Sequence, residues 1–193
     1  LEQAMGQLDR NLADIVAGRL EKVRDICWCL GNEVAANVSK TAALAGETVQ
    51  TLTAAALLKK INTALNSLDR LEVRGRDSAG ISIMLTMDTG DFDRFQAILS
   101  RDGLWEEFSA RSNPEVLVNN SLSFYQREGE NRLSLAFVYK FASEIGSLGD
   151  NIAFLRKQIR QDMIFQALLG FPCDTFTISA HTRWASVGTI TEA

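Results

Sequence analysis

The chain has 193 residues, with 20 Lys+Arg against 24 Asp+Glu, a net formal charge of −4, and 46% hydrophobic and 23% charged residues. At ~150 residues per domain this allows one large domain or two small ones, and the ordinary globular composition excludes disorder as the organising state. The acidic balance, without a Lys/Arg stripe interleaved with aromatics, excludes an electrostatic footprint for nucleic acid. No apolar run approaches the ~18 residues that cross a bilayer, so a cytoplasmic protein with neither nucleic-acid nor membrane partners is expected. The cysteines are Cys27, Cys29 and Cys173, an odd number that suits a reducing compartment. With one histidine, His181, and no clustered Cys, neither a metal site nor a cofactor is expected. A chain that opens on Leu1 and closes on Ala193 after a Gly-containing loop reads as a fragment or processed piece.

From Met5 through Leu8, Leu12, Val16, Leu20, Val23, Cys27 and Leu30 the apolar residues step by three and four, the period of an amphipathic helix. Gly31-Asn32 is expected to stop it. A second helix then runs from Val34 to Leu71, making residues 1–60 a helical hairpin added to the rest. After Arg74–Gly80 the run Ile81–Leu85 alternates like a strand. Asp91 to Phe108 returns to helical period with Asp91 as N-cap, and Asn113-Pro114 breaks it. Val116–Val118 and Leu122–Tyr125 suit either strand or irregular structure. Leu133–Leu148 and Asn151–Leu169 read as two helices divided by Gly146–Asp150, so that 91–173 is a mostly helical insertion. Thr175–Ser179 is β-rich and leads into His181.

Two segments carry chemistry. Arg74-Gly75-Arg76-Asp77-Ser78-Ala79-Gly80 lies between a helix and a strand, and His181-Thr182-Arg183-Trp184-Ala185-Ser186-Val187-Gly188 lies just past a strand, both junctions where sites are often built. Each also has a plain reading. Arg74 and Asp77 suit a local corner ion pair with Gly75 and Gly80 chosen for backbone freedom, Arg183 suits an ordinary surface arginine, and His181 suits a structural role at a strand end.

Together, in this order, the two segments resemble the class II glutamine amidotransferases, the N-terminal-nucleophile hydrolases that read roughly R-G-x-D-S-A-G and H-T-R-W-A-T-x-G. The resemblance is closest to the glutaminase domain of the glutamine:fructose-6-phosphate aminotransferases (isomerizing), because Trp184 stands where purine-pathway relatives usually carry Tyr. It implies hydrolysis of the glutamine side-chain amide by an N-terminal cysteine, with ammonia passing to a sugar-phosphate isomerase domain of the same polypeptide for glucosamine 6-phosphate synthesis, in a homodimer. It further implies that Arg183 pairs with the α-carboxylate of glutamine, as a guanidinium fork suits. Trp184 then belongs to the glutamine loop, Ser186 donates a hydroxyl hydrogen bond in place of the usual Thr, and Arg74, Asp77 and Gly188 support the pocket.

The resemblance covers roughly Ile61–Leu85 and Thr175–Ala193, which gives the expected glutaminase-like core as 61–90 and 174–193. The fold expected is α/β (α+β), helix-rich, a partial N-terminal-nucleophile-hydrolase type sandwich with large helical insertions. No Cys-Gly-Ile start is present, and the family's Asn-x-His-Pro and Asn-Gly oxyanion segments lie beyond Ala193. Val187 replaces a common His. No residue of this chain is therefore assigned as catalytic, and the isolated chain is expected to be inactive. The competing expectation is a helical dimerisation or regulatory module in which the two motifs are vestigial.

Overall fold

The computed structural model describes residues 9–46, 51–75, 77–115, 119–142 and 147–184. It divides into two compact units, Leu1–Lys40 and Thr41–Ala193, so the boundary lies at Lys40 rather than at residue 60. The described residues of the first unit are helical from Arg10 onward. Helix α1 (Arg10–Trp28) runs through a π-helical segment (Cys29–Ala35) into α2 (Ala36–Ala42). The stop expected at Gly31-Asn32 does not occur, because Gly31 does not enter the left-handed conformation that ends a helix. Asn32 and Asn37 instead donate side-chain hydrogen bonds to the carbonyls of Trp28 (3.1 Å) and Glu33 (2.6 Å), serving the backbone where the turn widens.

In the second unit α3 (Leu52–Leu71) is started by Thr51, whose hydroxyl accepts from the Ala54 N–H at 3.0 Å. A 3₁₀ turn (Glu72–Arg74) leads into β1 (Ser78–Asp88), followed by α4 (Thr89–Arg101), α5 (Trp105–Arg111), β2 (Ser121–Gln126), β3 (Arg132–Ala142), α6 (Asp150–Gln161), α7 (Met163–Leu168) and β4 (Thr175–Arg183). The four strands form one antiparallel sheet in the order β2-β3-β1-β4. The fold is thus α+β.

Leu133–Leu148, expected as helix, is instead strand β3 over Arg132–Ala142 and lies in the middle of the sheet. Leu133, Leu135, Phe137 and Tyr139 are all buried while Ser134, Ala136 and Val138 between them are only half-buried. That is the period-two pattern of a strand, and pairing with β1 on one side and β2 on the other decides it. The segment 91–173 is therefore no helical appendage, since two of its elements are strands of the same sheet. The N-cap of α4 is Asp88, which accepts from the Gly90 N–H at 2.8 Å, and Asp91 lies inside the helix paired with Arg94.

One face of the sheet is apolar. Ile81, Ile83 and Leu85 of β1 and the odd-numbered residues of β3 meet the buried faces of α3, α4, α6 and α7 in a single core that includes Leu58, Ile61, Leu65 and Phe95. The other face carries small and polar side chains. Ser82 and Ser134 are half-buried there, Thr177 and Ser179 are exposed, and Met84 is the one large apolar residue of β1 among them.

A charged cluster pins this arrangement. The Asp162 carboxylate, 2% exposed, accepts from Arg111 at 2.9 and 2.5 Å. It also accepts from the Tyr139 hydroxyl at 2.7 Å and from the N–H groups of Ile164 and Phe165 at 3.0 and 3.1 Å, and so caps α7. Arg111 further donates from Nε to the Asn120 carbonyl at 2.6 Å. Burial works against the guanidinium charge and Asp162 outweighs it, so the Arg111 pKa is raised. Burial, reinforced by Asp162, holds the Tyr139 hydroxyl well above its ordinary value.

Because folding favours the neutral phenol, its contribution is complete below the unfolded pKa of ~10 and is lost as pH rises through the folded value. Stability should therefore fall above pH ~10 by up to ~1.4 kcal/mol per pH unit from this group. Tyr139→Phe should cost ~1 kcal/mol at neutral pH and remove that part of the alkaline slope. Urea titrations of both proteins from pH 7 to 11 check this, and equal alkaline slopes would contradict it.

Candidate functional site

The two motif segments come together on β1 and β4. The strands pair so that Ser78 faces Arg183, Gly80 faces His181 and Ser82 faces Ser179. Ahead of the strand pair, the Asp77 N–H donates to the Arg183 carbonyl at 3.1 Å. On the far side of β1 the same rows continue into β3, with Ala142 opposite Ser78 and Lys140 opposite Gly80. Side chains alternate along strands, so Lys140, His181 and Arg183 all stand on the small-residue face, away from the core. Lys140 and Arg183, both exposed, stand on that face on either side of β1, near Ser78 and Gly80.

Gly75 and Gly80 explain why the segments fit. Neither has a positive φ, and Gly75 is extended at φ −165°, so backbone freedom is not what glycine provides. It provides room. A Cβ on Gly75 would lie 3.0 and 3.1 Å from backbone atoms of Arg183 and 3.2 Å from the Thr182 hydroxyl. A Cβ on Gly80 would lie 2.6 Å from Cε1 of His181, whose ring covers that glycine. The structural role read for His181 is consistent with this contact. Arg74 is exposed and Asp77 half-buried at the corner, and Arg183 and Trp184 are both exposed, Trp184 at 67%. Ser186 and Gly188 lie outside the described residues.

Glu72 was not singled out by its sequence pattern, yet it organises the corner. It is 1% exposed, and its Oε2 accepts from the Gly149 N–H. Its Oε1 has no hydrogen-bond partner among the described residues. Gly149 takes φ +96°, the left-handed conformation glycine tolerates, and opens α6. Gly149 thus meets Glu72 just ahead of the first motif, a contact between residues far apart in sequence that no local spacing reveals.

Neither Cys29 nor Cys173 is activated. Hydrogen bonding to Glu33 (3.4 Å) raises the Cys29 pKa, and burial raises that of Cys173, the reverse of what a nucleophilic cysteine needs. Among the described residues no group of three or more His, Cys, Asp or Glu is arranged to hold a metal ion, and no helix is long and apolar enough to cross a membrane. No family model, curated protein or solved structure matches the chain.

Gly75→Ala should push against Arg183 backbone and destabilise by ~1–3 kcal/mol as overpacking does, with amide shifts concentrated at Asp77, Thr182 and Arg183. Gly80→Ala should be milder, because the obstructing atom belongs to a side chain that can turn away. Thermal melts and amide spectra of the two variants test the order, which reversed would contradict the packing described.

Proposed function

We propose that the chain is part of a class II glutamine amidotransferase whose glutaminase site supplies ammonia for aminosugar synthesis, of the glutamine:fructose-6-phosphate aminotransferase type. The observation that supports this is the register of β1 against β4, which puts Ser78 beside Arg183 and Gly80 beneath His181. Segments that share a motif pair only in sequence would have no reason to be hydrogen-bonded neighbours. In this reading the sheet and its helices form one half of an N-terminal-nucleophile type sandwich. The second sheet of that sandwich would pack at ~10 Å on the face away from the core, beside Lys140, His181 and Arg183.

In the proposed reaction Arg183 holds the α-carboxylate of glutamine bidentately, with Lys140 adding positive potential from two strands away. Trp184 covers the ligand from the strand end, and Ser186 hydrogen-bonds to it. The nucleophile is an N-terminal cysteine contributed by the complete reading frame. Its α-amine, with a pKa near ~8, takes the thiol proton. Sulfur attacks the side-chain carbonyl, the C–N bond breaks and ammonia leaves, and water then cleaves the thioester to glutamate. Cys27, Cys29 and Cys173 are internal and have no free α-amine, so the 193-residue chain itself should not hydrolyse glutamine. The ammonia would serve a sugar-phosphate isomerase domain of the same cytoplasmic polypeptide, a compartment that suits three free thiols.

The test is to treat the complete reading frame with 6-diazo-5-oxo-norleucine and locate the adduct by peptide mass. The expected result is one adduct on an N-terminal cysteine, lost in Arg183→Ala. A folded protein with no adduct would contradict the proposal and favour the second reading, a helical dimerisation module with vestigial motifs, for which the exposed apolar side chains of Arg10–Ala42 speak.

A further inference from the structure

The face of the sheet away from the core is charged unevenly. Along its described strands the one acid is Asp88, at the far end of β1, whereas Lys140, His181 and Arg183 gather at the other end, on a protein whose net charge is −4. All three are exposed, and among the described residues no hydrogen bond or ion pair engages their side chains. Asp77, just ahead of β1, has a partner of its own. The hydroxyls of Ser78, Ser82 and Ser179, on the same face, have no hydrogen bond among the described residues either.

The register gathers these groups around one glycine. Lys140, Gly80 and His181 stand side by side on β3, β1 and β4, and Ser78 with Arg183 belongs to the next row. Neighbouring strands lie ~4.8 Å apart, so the Lys140 and His181 backbones are ~10 Å apart. The His181 ring closes half of that distance, because it lies over Gly80, with Cε1, Nδ1 and Nε2 at 2.6, 3.3 and 3.3 Å from the place a Cβ would take. The four-carbon stem of Lys140 can span the remainder. Both flanking cations have their backbones fixed. Asn119 donates to the Lys140 carbonyl at 2.7 Å and accepts from its N–H at 2.8 Å, and the Arg183 carbonyl accepts from the Asp77 N–H at 3.1 Å.

We infer that this end of the sheet binds a phosphate dianion, free or carried by a small phosphorylated molecule, through Lys140, His181 and Arg183 with the Ser82 hydroxyl beside them. Charge and oxygen count select the ligand. Lys140 and Arg183 bring two positive charges, and a phosphate ester answers them with a charge near ~−2 and three strong acceptor oxygens. A carboxylate has one charge and two oxygens, and would leave one cation unanswered. The site shares only Arg183 with the proposed glutamine contact, so under that reading a bound phosphate competes with the α-carboxylate, while phosphate binding itself requires neither glutamine nor a nucleophile.

The chain has a single histidine, so the ring C–H resonances of His181 report the site directly. The 193-residue chain is titrated at constant ionic strength and pH ~7.5, where a phosphate ester with a second pKa of ~6 is dianionic. With inorganic phosphate the His181 ring and the Lys140 and Ser82 amides should shift saturably, with a Kd of ~1–10 mM, as a few exposed charge contacts provide. Lys140→Ala and Arg183→Ala should each raise that Kd ~5-fold. Lys157→Ala, which removes an exposed cation from α6, should leave it unchanged. Acetate should bind ~10-fold more weakly or not at all. Glycerol 3-phosphate, titrated alongside, identifies the source: binding as tight as phosphate or tighter assigns the site to a phosphorylated molecule, and weaker binding assigns it to the free ion. A His181 ring that does not respond to phosphate, that responds equally to acetate, or whose response is indifferent to Lys140→Ala would overturn the inference. None of these ligands is glutamine, and Lys140→Ala leaves Arg183 in place, so a failure here is distinguishable from failure of the proposed function.

Discussion

Strand β1 is paired with β3 along its whole length and with β4 from Ser78 to Thr86, and that double pairing fixes the second unit. Its core-facing residues Ile81, Ile83 and Leu85 are opposed by Phe176, Ile178 and Ala180 of β4 and by Tyr139, Phe137 and Leu135 of β3. A slip of one residue in β4 would turn its apolar side chains outward and drive His181 and Arg183 toward the core. The position of Arg183 beside Ser78 is therefore enforced by hydrophobic burial elsewhere on the same strand. The candidate site inherits its geometry from the core beneath it.

Two further restraints act on the sheet from either end. Tyr139, on the central strand β3, is tied through Asp162 to Arg111 of α5 and to the first turn of α7. Removing one partner of a buried pair leaves an uncompensated charge, which is far costlier than the net gain the intact pair provides. At the other end, Glu72 ties the turn at Gly149 to the corner that introduces β1. Gly75 and Gly80 then allow the corner and the His181 ring to close on their neighbours. The motif glycines are thus explained by contact distance, and His181 and Arg183 are left on the face of the sheet away from the core.

The local parts of this fold were legible in the sequence. The alternation after Gly80 and the β-rich run before His181 each declare their element and the two motif segments declare a junction, whereas the single helix read from Val34 to Leu71 is two, α2 ending at Ala42 and α3 starting at Leu52 behind the Thr51 cap. What was not legible depended on distant partners. Residues 132–142 contain Ala136 and Ala142 and end near acidic and small residues that suit a helix, and only pairing with β1 makes the alternation of Leu133, Leu135, Phe137 and Tyr139 decisive. Gly31-Asn32 carries the composition of a stop without its conformation. Glu72 gives no local signal, since its role depends on a glycine from another part of the chain.

The proposed function requires the β1–β4 junction to recognise the α-carboxylate of glutamine. The most direct measurement is an amide and indole NMR titration of the 193-residue chain with glutamine and, separately, with glutaminol, which lacks that carboxylate. Glutamine at millimolar concentration should shift Asp77, Ser78, Arg183 and the Trp184 indole alone, glutaminol should shift none of them, and Arg183→Ala should abolish the shifts, weak binding being what a single ion pair provides. A folded chain whose junction resonances do not move with glutamine, or move equally with glutaminol, would contradict it.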